Sequence, residues 1–260
     1  MVEQPATPQS GERSCDTLFD GELYCLQHRD GYRFSIDPVL LAHFVHLGKG
    51  ERLLDLGAGC GVLGQILLYR SAARIHSLTA FELQAGLAEL SRANMRLNLF
   101  QEKMKVVEGN LRNILNFLEP EFYSTVVCNP PFYRAGTGRS SANDEALIAR
   151  HQVACSLEEI LSAAAAVLQN RGKLFMIYPA EGLGVLLAHF PQHRLTIKRL
   201  QMVYSYPEPT SNARLLLLEA IKNGGDGLEV LPPFYIYKQK DGDYSTAMQG
   251  MYDPNRTRQQ

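Results

Sequence analysis

The sequence predicts an α/β domain: a mostly parallel sheet with helices on its faces and an antiparallel hairpin near its C-terminal end. Three observations lead there. From residue 51 onward, short runs rich in Val, Ile, Leu and Phe alternate with helix-like stretches, the pattern of strands joined by crossover helices. A glycine-rich turn lies directly between the first such strand and the first such helix. Two long apolar runs, LTIKRLQMVYS and ARLLLLEAIKN, follow one another across a short YPEPTSN stretch, which suits an antiparallel pair. At roughly 150 residues per domain, a chain of 260 residues holds one large domain or two small ones.

The elements follow in order. ERLLDLG (51–57) reads as a buried strand, residues 62–69 as an apolar helix, and HSLTAFE (76–82) as the second strand. Residues 84–99 carry Leu87, Leu90, Met95 and Leu97 among Glu89, Arg92 and Arg96, an amphipathic helical pattern, before MKVVEGN (104–110) returns to strand. YSTVVCNPPF (123–132) is a fourth strand, ended by two prolines that cannot donate to a ladder. Ser156 and Glu159 have capping-box spacing at the head of a helix through Leu168, with Gly172 expected as its C-terminal cap and KLFMIYP (173–179) as the fifth strand. A last short strand is expected at 232–237. Upstream, residues 1–17 read as a flexible leader and 18–50 as an extension with a helix at 39–47, leaving 51–260 as the main domain.

Composition excludes several classes. Hydrophobic residues at 45% and charged residues at 20% exclude a disordered or fibrous chain. Net charge is −1, so any nucleic-acid partner must be held by a local basic patch. Five cysteines, Cys15, Cys25, Cys60, Cys128 and Cys155, lack zinc-ligand spacing and read as reduced thiols of a cytoplasmic protein, with no metal expected. No run is long and apolar enough for a membrane segment, and the polar N-terminus does not look like a secretory signal.

Two segments carry chemistry. Asp55-Leu-Gly57-Ala-Gly59-Cys-Gly61 joins strand to helix, where glycines allow a tight turn and close approach to a ligand. Glu82, 21 positions after Gly61, ends the next strand, where an acidic residue binds a ribose in dinucleotide folds. Gly59-Cys-Gly61-Val-Leu-Gly64 also fits the dinucleotide pattern, but Asp55 would repel a pyrophosphate and attract an ammonium. The second segment is Asn129-Pro130-Pro131-Phe132-Tyr133 at the end of the fourth strand. Its prolines stiffen the backbone, so the Asn129 side-chain carbonyl and the Pro130 carbonyl can be aimed together at one amino group. Phe132 or Tyr133 can stack on a planar acceptor, a contact worth about 1–3 kcal/mol per base. The bland alternatives are a tight strand-to-helix turn with a solvated Glu at a strand end for the first segment, and a cis-proline or rigid turn capped by Asn with aromatics covering the core for the second.

The acidic D-x-G-x-G-x-G turn resembles that of class I S-adenosylmethionine-dependent methyltransferases over residues 51–223. That likeness implies a Rossmann-like seven-stranded sheet and S-adenosyl-L-methionine as cofactor. By the same likeness Gly57, Gly59 and Gly61 line its methionine and sugar side, Asp55 supports the loop or the amino group, and Glu82 holds the ribose. Many relatives have an Asp at the end of the third strand that contacts adenine; Asn110 stands near that place here. The N-P-P-F motif is similar to two methyltransferase groups, one acting on N6 of adenine and one on the glutamine side-chain amide of release factors.

The run LFDGELYCLQ (18–27), then GYRFSIDPVLLA (31–42), together with N-P-P-F and Ala-Arg-His (149–151), resembles the bacterial tRNA1(Val) adenine-N6 methyltransferase group. This implies that Arg33, Phe34 and Asp37 close over the cofactor, although a strand followed by an Asp-Pro helix start reads equally well. It also implies an RNA partner, tRNA above all. Substrate contacts are expected from Tyr133, Arg134 and Arg139, with Arg150, Arg194, Lys198 and Arg199 as further phosphate candidates. The alternatives are a protein-glutamine methyltransferase and a non-catalytic, cofactor-dependent RNA-binding module.

Overall fold

The computed structural model describes residues 13–29, 34–130 and 155–257. Strands β1 (Arg13–Leu18) and β2 (Leu23–His28) form an antiparallel hairpin, followed by helix α1 (Asp37–Phe44). Then come β3 (Glu51–Leu56), α2 (Val62–Ser71), β4 (Ile75–Glu82), α3 (Ala85–Leu97) and β5 (Met104–Glu108). A 3-10 turn over Leu111–Asn116 leads into β6 (Tyr123–Cys128). After α4 (Leu157–Val167) come β7 (Leu168–Pro179), α5 (Leu183–His189), β8 (Leu195–Tyr204) and β9 (Leu215–Lys222). Two-residue strands β10 (Glu229–Val230) and β11 (Phe234–Tyr235) and helices α6 (Thr246–Tyr252) and α7 (Pro254–Thr257) follow.

The main sheet runs β5-β4-β3-β6-β7-β9-β8, with β10 and β11 both added along the free edge of β8. β3 to β7 are mutually parallel, and β9 is antiparallel to both β7 and β8. The seven core strands and the terminal hairpin thus match the expected class, and β10 and β11 widen the sheet to nine. Placement of the hairpin follows from its two patterns. LLLLEAIK is buried almost throughout, as an inner strand must be, whereas β8 alternates buried and partly exposed positions and lies toward the edge.

Alternation along the strands divides the core by faces. Leu53, Phe175, Ile177 and Leu217 point to one side, with α1, α2 and α6; Leu54, Leu174, Met176, Leu216 and Leu218 point to the other, with α4 and α5. The N-terminal segment contributes Phe19, Leu23, Cys25, Val39, Leu40 and Leu41 to the first side, so the extension shares one core with the sheet.

Three expectations are corrected. Residues from Arg13 on, expected within a leader, pair in β1. The hairpin turn holds Phe19 and Asp20 at left-handed φ of 55° and 54°, and the buried Phe19 ring stacks on Tyr69 at 4.6 Å, which offsets the backbone cost. Gly172 is not a helix cap. Helix α4 ends at Val167 and the chain enters β7 at once; Gly172 lies inside the strand, where a Cβ would come within 2.9 Å of the Gln169 carbonyl oxygen and the Leu168 side chain.

The basic residues of the sixth core strand are the third correction, because their charges are occupied within the fold. Lys198 donates to the Gly225 and Asp226 carbonyls at 3.1 and 2.6 Å. Arg199 pairs with Glu219 at 3.3 Å and lies 4.9 Å from the Phe44 ring. Arg194 precedes β8, which runs parallel to β7, and so sits at the end of the sheet opposite the Asn129 motif.

Candidate active site

In this strand order the sheet reverses direction of growth between β3 and β6, and ligands of such sheets bind at the carboxyl ends of the strands beside that reversal. The turn after β3 and the Asn129 motif after β6 lie there side by side, since Asp55 pairs with Val127 across the two strands. Glu82 pairs with Glu108 at the same edge, and Gly109 donates to the Glu82 carbonyl at 2.9 Å, which brings Asn110 to the same level.

The glycine turn owes its shape to left-handed backbone. Gly57, Gly59 and Gly61 have φ of 75°, 57° and 81°, a region that costs a residue with a Cβ roughly 1–2 kcal/mol. Gly57 and Gly59 face open space, with nothing within 4 Å of an added Cβ. Gly61 instead abuts the protein: a Cβ there would lie 2.4 Å from Ser91 Oγ. One face of the turn is therefore bare backbone beside free volume, and the other is pressed against α3.

Both acidic residues hold this turn. Glu82 accepts from the Gly59 N–H at 2.8 Å through one oxygen and from the Gln84 N–H at 2.9 Å through the other. Asp55 accepts from the Gly64 N–H at 2.9 Å and so ties the strand end to the first turn of α2. Burial pushes both carboxyls up, Asp55 to about 7, with the nearby Glu82 charge adding to the rise. Neither has a cationic side chain as partner among the described residues. Two buried carboxyl groups behind bare backbone that faces open space favour a cation there.

Asn110 caps the 3-10 turn, its side-chain oxygen accepting from the Arg112 N–H at 3.0 Å. Arg112 pairs with Glu159 through two contacts, at 2.6 and 3.2 Å, and Glu159 also completes the capping box with Ser156 that opens α4. Asn129 is half-buried and Pro130 buried. Pro131, Phe132, Tyr133, Arg134 and Arg139, together with Arg33 and Arg150, lie outside the described residues.

Phe34 and Asp37 stand at the head of α1. The Phe34 N–H donates to Gln27 at 2.8 Å, the Asp37 N–H to Ser35 at 3.2 Å, and Pro38 follows in the first turn. Leu47, just past the other end of α1, accepts from Arg74 at 3.1 Å at the amino end of β4, so the head of α1 points toward the carboxyl edge. Phe34 also packs against the core on the α1 and α2 side of the sheet, and Asp37 bonds within its own segment. They realise the Asp-Pro helix start.

A polar seam that sequence reasoning missed lies behind the turn. Asn94 on α3 is fully buried; it accepts from the Leu26 N–H at 2.6 Å and donates to the Leu26 and Cys60 carbonyls, each at 3.0 Å. Asn98 does the same for Tyr24, at 2.9 and 2.7 Å, and donates to Gln65 at 2.6 Å. Two side-chain amides one turn apart thus replace a neighbouring strand along the open edge of β2. The signal was present as Ala88, Ser91, Asn94 and Asn98, a helical stripe of small and polar residues.

Among the described residues no group of His, Cys, Asp and Glu could hold a metal ion, and no helix is long and apolar enough to cross a membrane. Comparison with known proteins converges on one class. A curated relative from Shewanella halifaxensis, named as a tRNA1(Val) (adenine(37)-N6)-methyltransferase, is 26% identical over 226 residues, 84% of this chain and 90% of its own. A relative of the same name from Trichodesmium erythraeum is 26% identical over 202 residues, 75% of this chain and 80% of its own. Among solved structures, a predicted O-methyltransferase from Agrobacterium tumefaciens superposes with a TM-score of 0.67 at 21% identity, covering 85% of this chain and 96% of that one. A SAM-dependent methyltransferase from Aquifex aeolicus gives 0.51 at 13% identity, covering 72% and 89%. The model of the methyltransferase small domain matches residues 36–199, more than half of the sequence, and the chain belongs to that methyltransferase family.

Proposed function

We propose that this methyltransferase transfers the methyl group of S-adenosyl-L-methionine to N6 of an adenine in RNA, tRNA being the preferred substrate. The observation that carries this reading is the adjacency of Asn129-Pro130 to a glycine turn with two buried, cation-free carboxyl groups, at the reversal point of the sheet. When bound, the cofactor supplies an electrophilic methyl on a positively charged sulfur. The bare backbone of Gly57 and Gly59 leaves room for its methionine and sugar portion, and the free lone pairs of Glu82 can accept from ribose hydroxyls. Asp55 acts through the loop and α2, by its bond to Gly64.

An adenine amino group is conjugated to its ring and is a poor nucleophile. Acceptors at the Asn129 side chain and the Pro130 carbonyl bind its two hydrogens and favour the pyramidal form, with the lone pair toward the methyl group. Phe132 and Tyr133 would stack on the base, and Arg134 and Arg139 would meet phosphates. Asn110 would present its free amide hydrogens toward the cofactor base while its oxygen caps the 3-10 turn. Phe34 and Asp37 would close over the cofactor from the head of α1, joined by Arg33, which precedes them in the sequence. A protein acting on tRNA works in the cytoplasm, and the naming of the curated relatives supports this substrate.

The test is incubation with methyl-labelled cofactor and unmodified total tRNA, with a protein extract in parallel, followed by nucleoside analysis. Label in N6-methyladenosine is expected; label confined to glutamine of a protein would replace this reading. Asn129→Ala should abolish single-turnover methylation while keeping S-adenosylhomocysteine affinity. Retained turnover would remove Asn129 from the site.

A further inference from the structure

Two cysteines from distant parts of the chain meet behind the glycine turn. Cys25 is buried in β2, and half-buried Cys60 stands between Gly59 and Gly61; their sulfur atoms are 3.9 Å apart. A disulfide requires about 2.05 Å. The missing distance is small, and the two residues are held in register by one side chain, because Asn94 bonds both the Cys60 carbonyl and the backbone of Leu26. β2 itself is fixed along both edges, by β1 on one side and by Asn94 and Asn98 on the other. Closing the gap draws the turn and β2 together, and the turn is the element that carries the bare backbone of Gly57 and Gly59.

The thiols are unequal in a useful way. Cys60 shares a hydrogen bond with Cys25 and lies against the backbone N–H groups of its own residue and Val62 at the head of α2, contacts that hold its thiol below the ordinary value. Cys25 is pushed up by that same contact and by burial. Cys60 is also the more accessible of the two, half-buried where Cys25 is buried, so peroxide reaches it first and Cys60 is the attacking sulfur, Cys25 the resolving one.

We infer that Cys25 and Cys60 are a reversible modification site, oxidised by peroxide to a disulfide that pulls the glycine turn toward β2 and weakens cofactor binding. In the first step the Cys60 thiolate attacks a peroxide oxygen, the O–O bond breaks, and the departing hydroxide is protonated to water, leaving a sulfenic acid. In the second, the Cys25 sulfur attacks the Cys60 sulfur, the S–O bond breaks, and the Cys25 proton leaves with the hydroxide as a second water. Two thiols lose two electrons in all and one peroxide gains them; a dithiol reductant reverses the exchange. The effect on the cofactor rests on the proposed function above, whereas the disulfide does not.

The experiment treats the full-length protein with hydrogen peroxide, with and without S-adenosylhomocysteine, blocks the remaining thiols and maps linked peptides without reduction. A Cys25–Cys60 link is expected, slower to form with the ligand bound, absent in Cys25→Ala and reversed by dithiothreitol. Calorimetry with S-adenosylhomocysteine should show affinity falling by about tenfold on oxidation, within the usual range for coupled sites, and no change in oxidised Cys25→Ala. A circular dichroism melt checks that the variant is folded; if it is not, the wild-type map and the reductant reversal decide. Oxidation of Cys60 only to sulfinic acid, or links made only through Cys15, Cys128 or Cys155, would overturn the assignment. A complete link with undiminished affinity would overturn the effect on the turn. Reduced protein that binds no S-adenosylhomocysteine would remove the cofactor reading, and the peptide map would still judge the disulfide.

Discussion

Asn94→Ala tests how the N-terminal hairpin is joined to the active-site turn. The side chain is fully buried and makes three backbone hydrogen bonds, two to Leu26 and one to Cys60. At about 1 kcal/mol net for each bond the loss is roughly 3 kcal/mol, and groups left buried without a partner raise it further. For a chain near this size each kcal/mol lowers the melting temperature by about 2–4 °C, so a fall of roughly 6–12 °C is expected. Asn98→Ala is the control: Asn98 is half-buried, so water can replace part of its amide, and about 1 kcal/mol is expected. The assay is thermal unfolding by circular dichroism, with urea denaturation at one temperature to give free energies. A melting temperature for Asn94→Ala within about 2 °C of wild type, or a loss no greater than that of Asn98→Ala, would refute the view of Asn94 as the joint.

Two further outcomes follow from the turn. Asp55 is buried with its carboxyl pushed up from 3.8 to about 7, so the folded state binds more protons than the unfolded one between those values. Stability contributed by the neutral form is complete below pH 3.8 and lost as pH rises through about 7. Asp55→Asn keeps the acceptor for Gly64 and should flatten this part of the urea-midpoint profile; parallel wild-type and variant profiles would contradict it. Gly59→Ala and Gly61→Ala share the left-handed penalty of about 1–2 kcal/mol, but only Gly61→Ala also collides with Ser91. Gly61→Ala should therefore be the more destabilising by roughly 1–3 kcal/mol in denaturation without ligand, with Ser91→Ala restoring part of the difference. Equal losses would show that the collision is relieved at no cost.

What the sequence determined by itself was the periodic and the local. Apolar runs of strand length, the D-x-G-x-G-x-G turn, Glu82 at the next strand end and the Asn129-Pro130 stop each encode their structure within a few residues, because strand burial, left-handed backbone and proline geometry are local constraints. What only the tertiary structure decided was partnership across distance. Gly172 looked like a cap until β7 was seen to begin at Leu168, and Arg199 looked free until Glu219 and Phe44 were placed beside it. Asp55 read as a support of the loop or of an ammonium and Glu82 as a ribose contact, and folding showed that each binds a backbone N–H, of α2 and of the glycine turn. Asn94 reads as a neutral helix residue, and becomes the joint between β2 and the turn because hydrogen bonds between residues 68 and 34 positions apart exist only once three elements have packed. The meeting of Cys25 with Cys60 has the same origin, since chain spacing carries no record of which side chains share a buried seam.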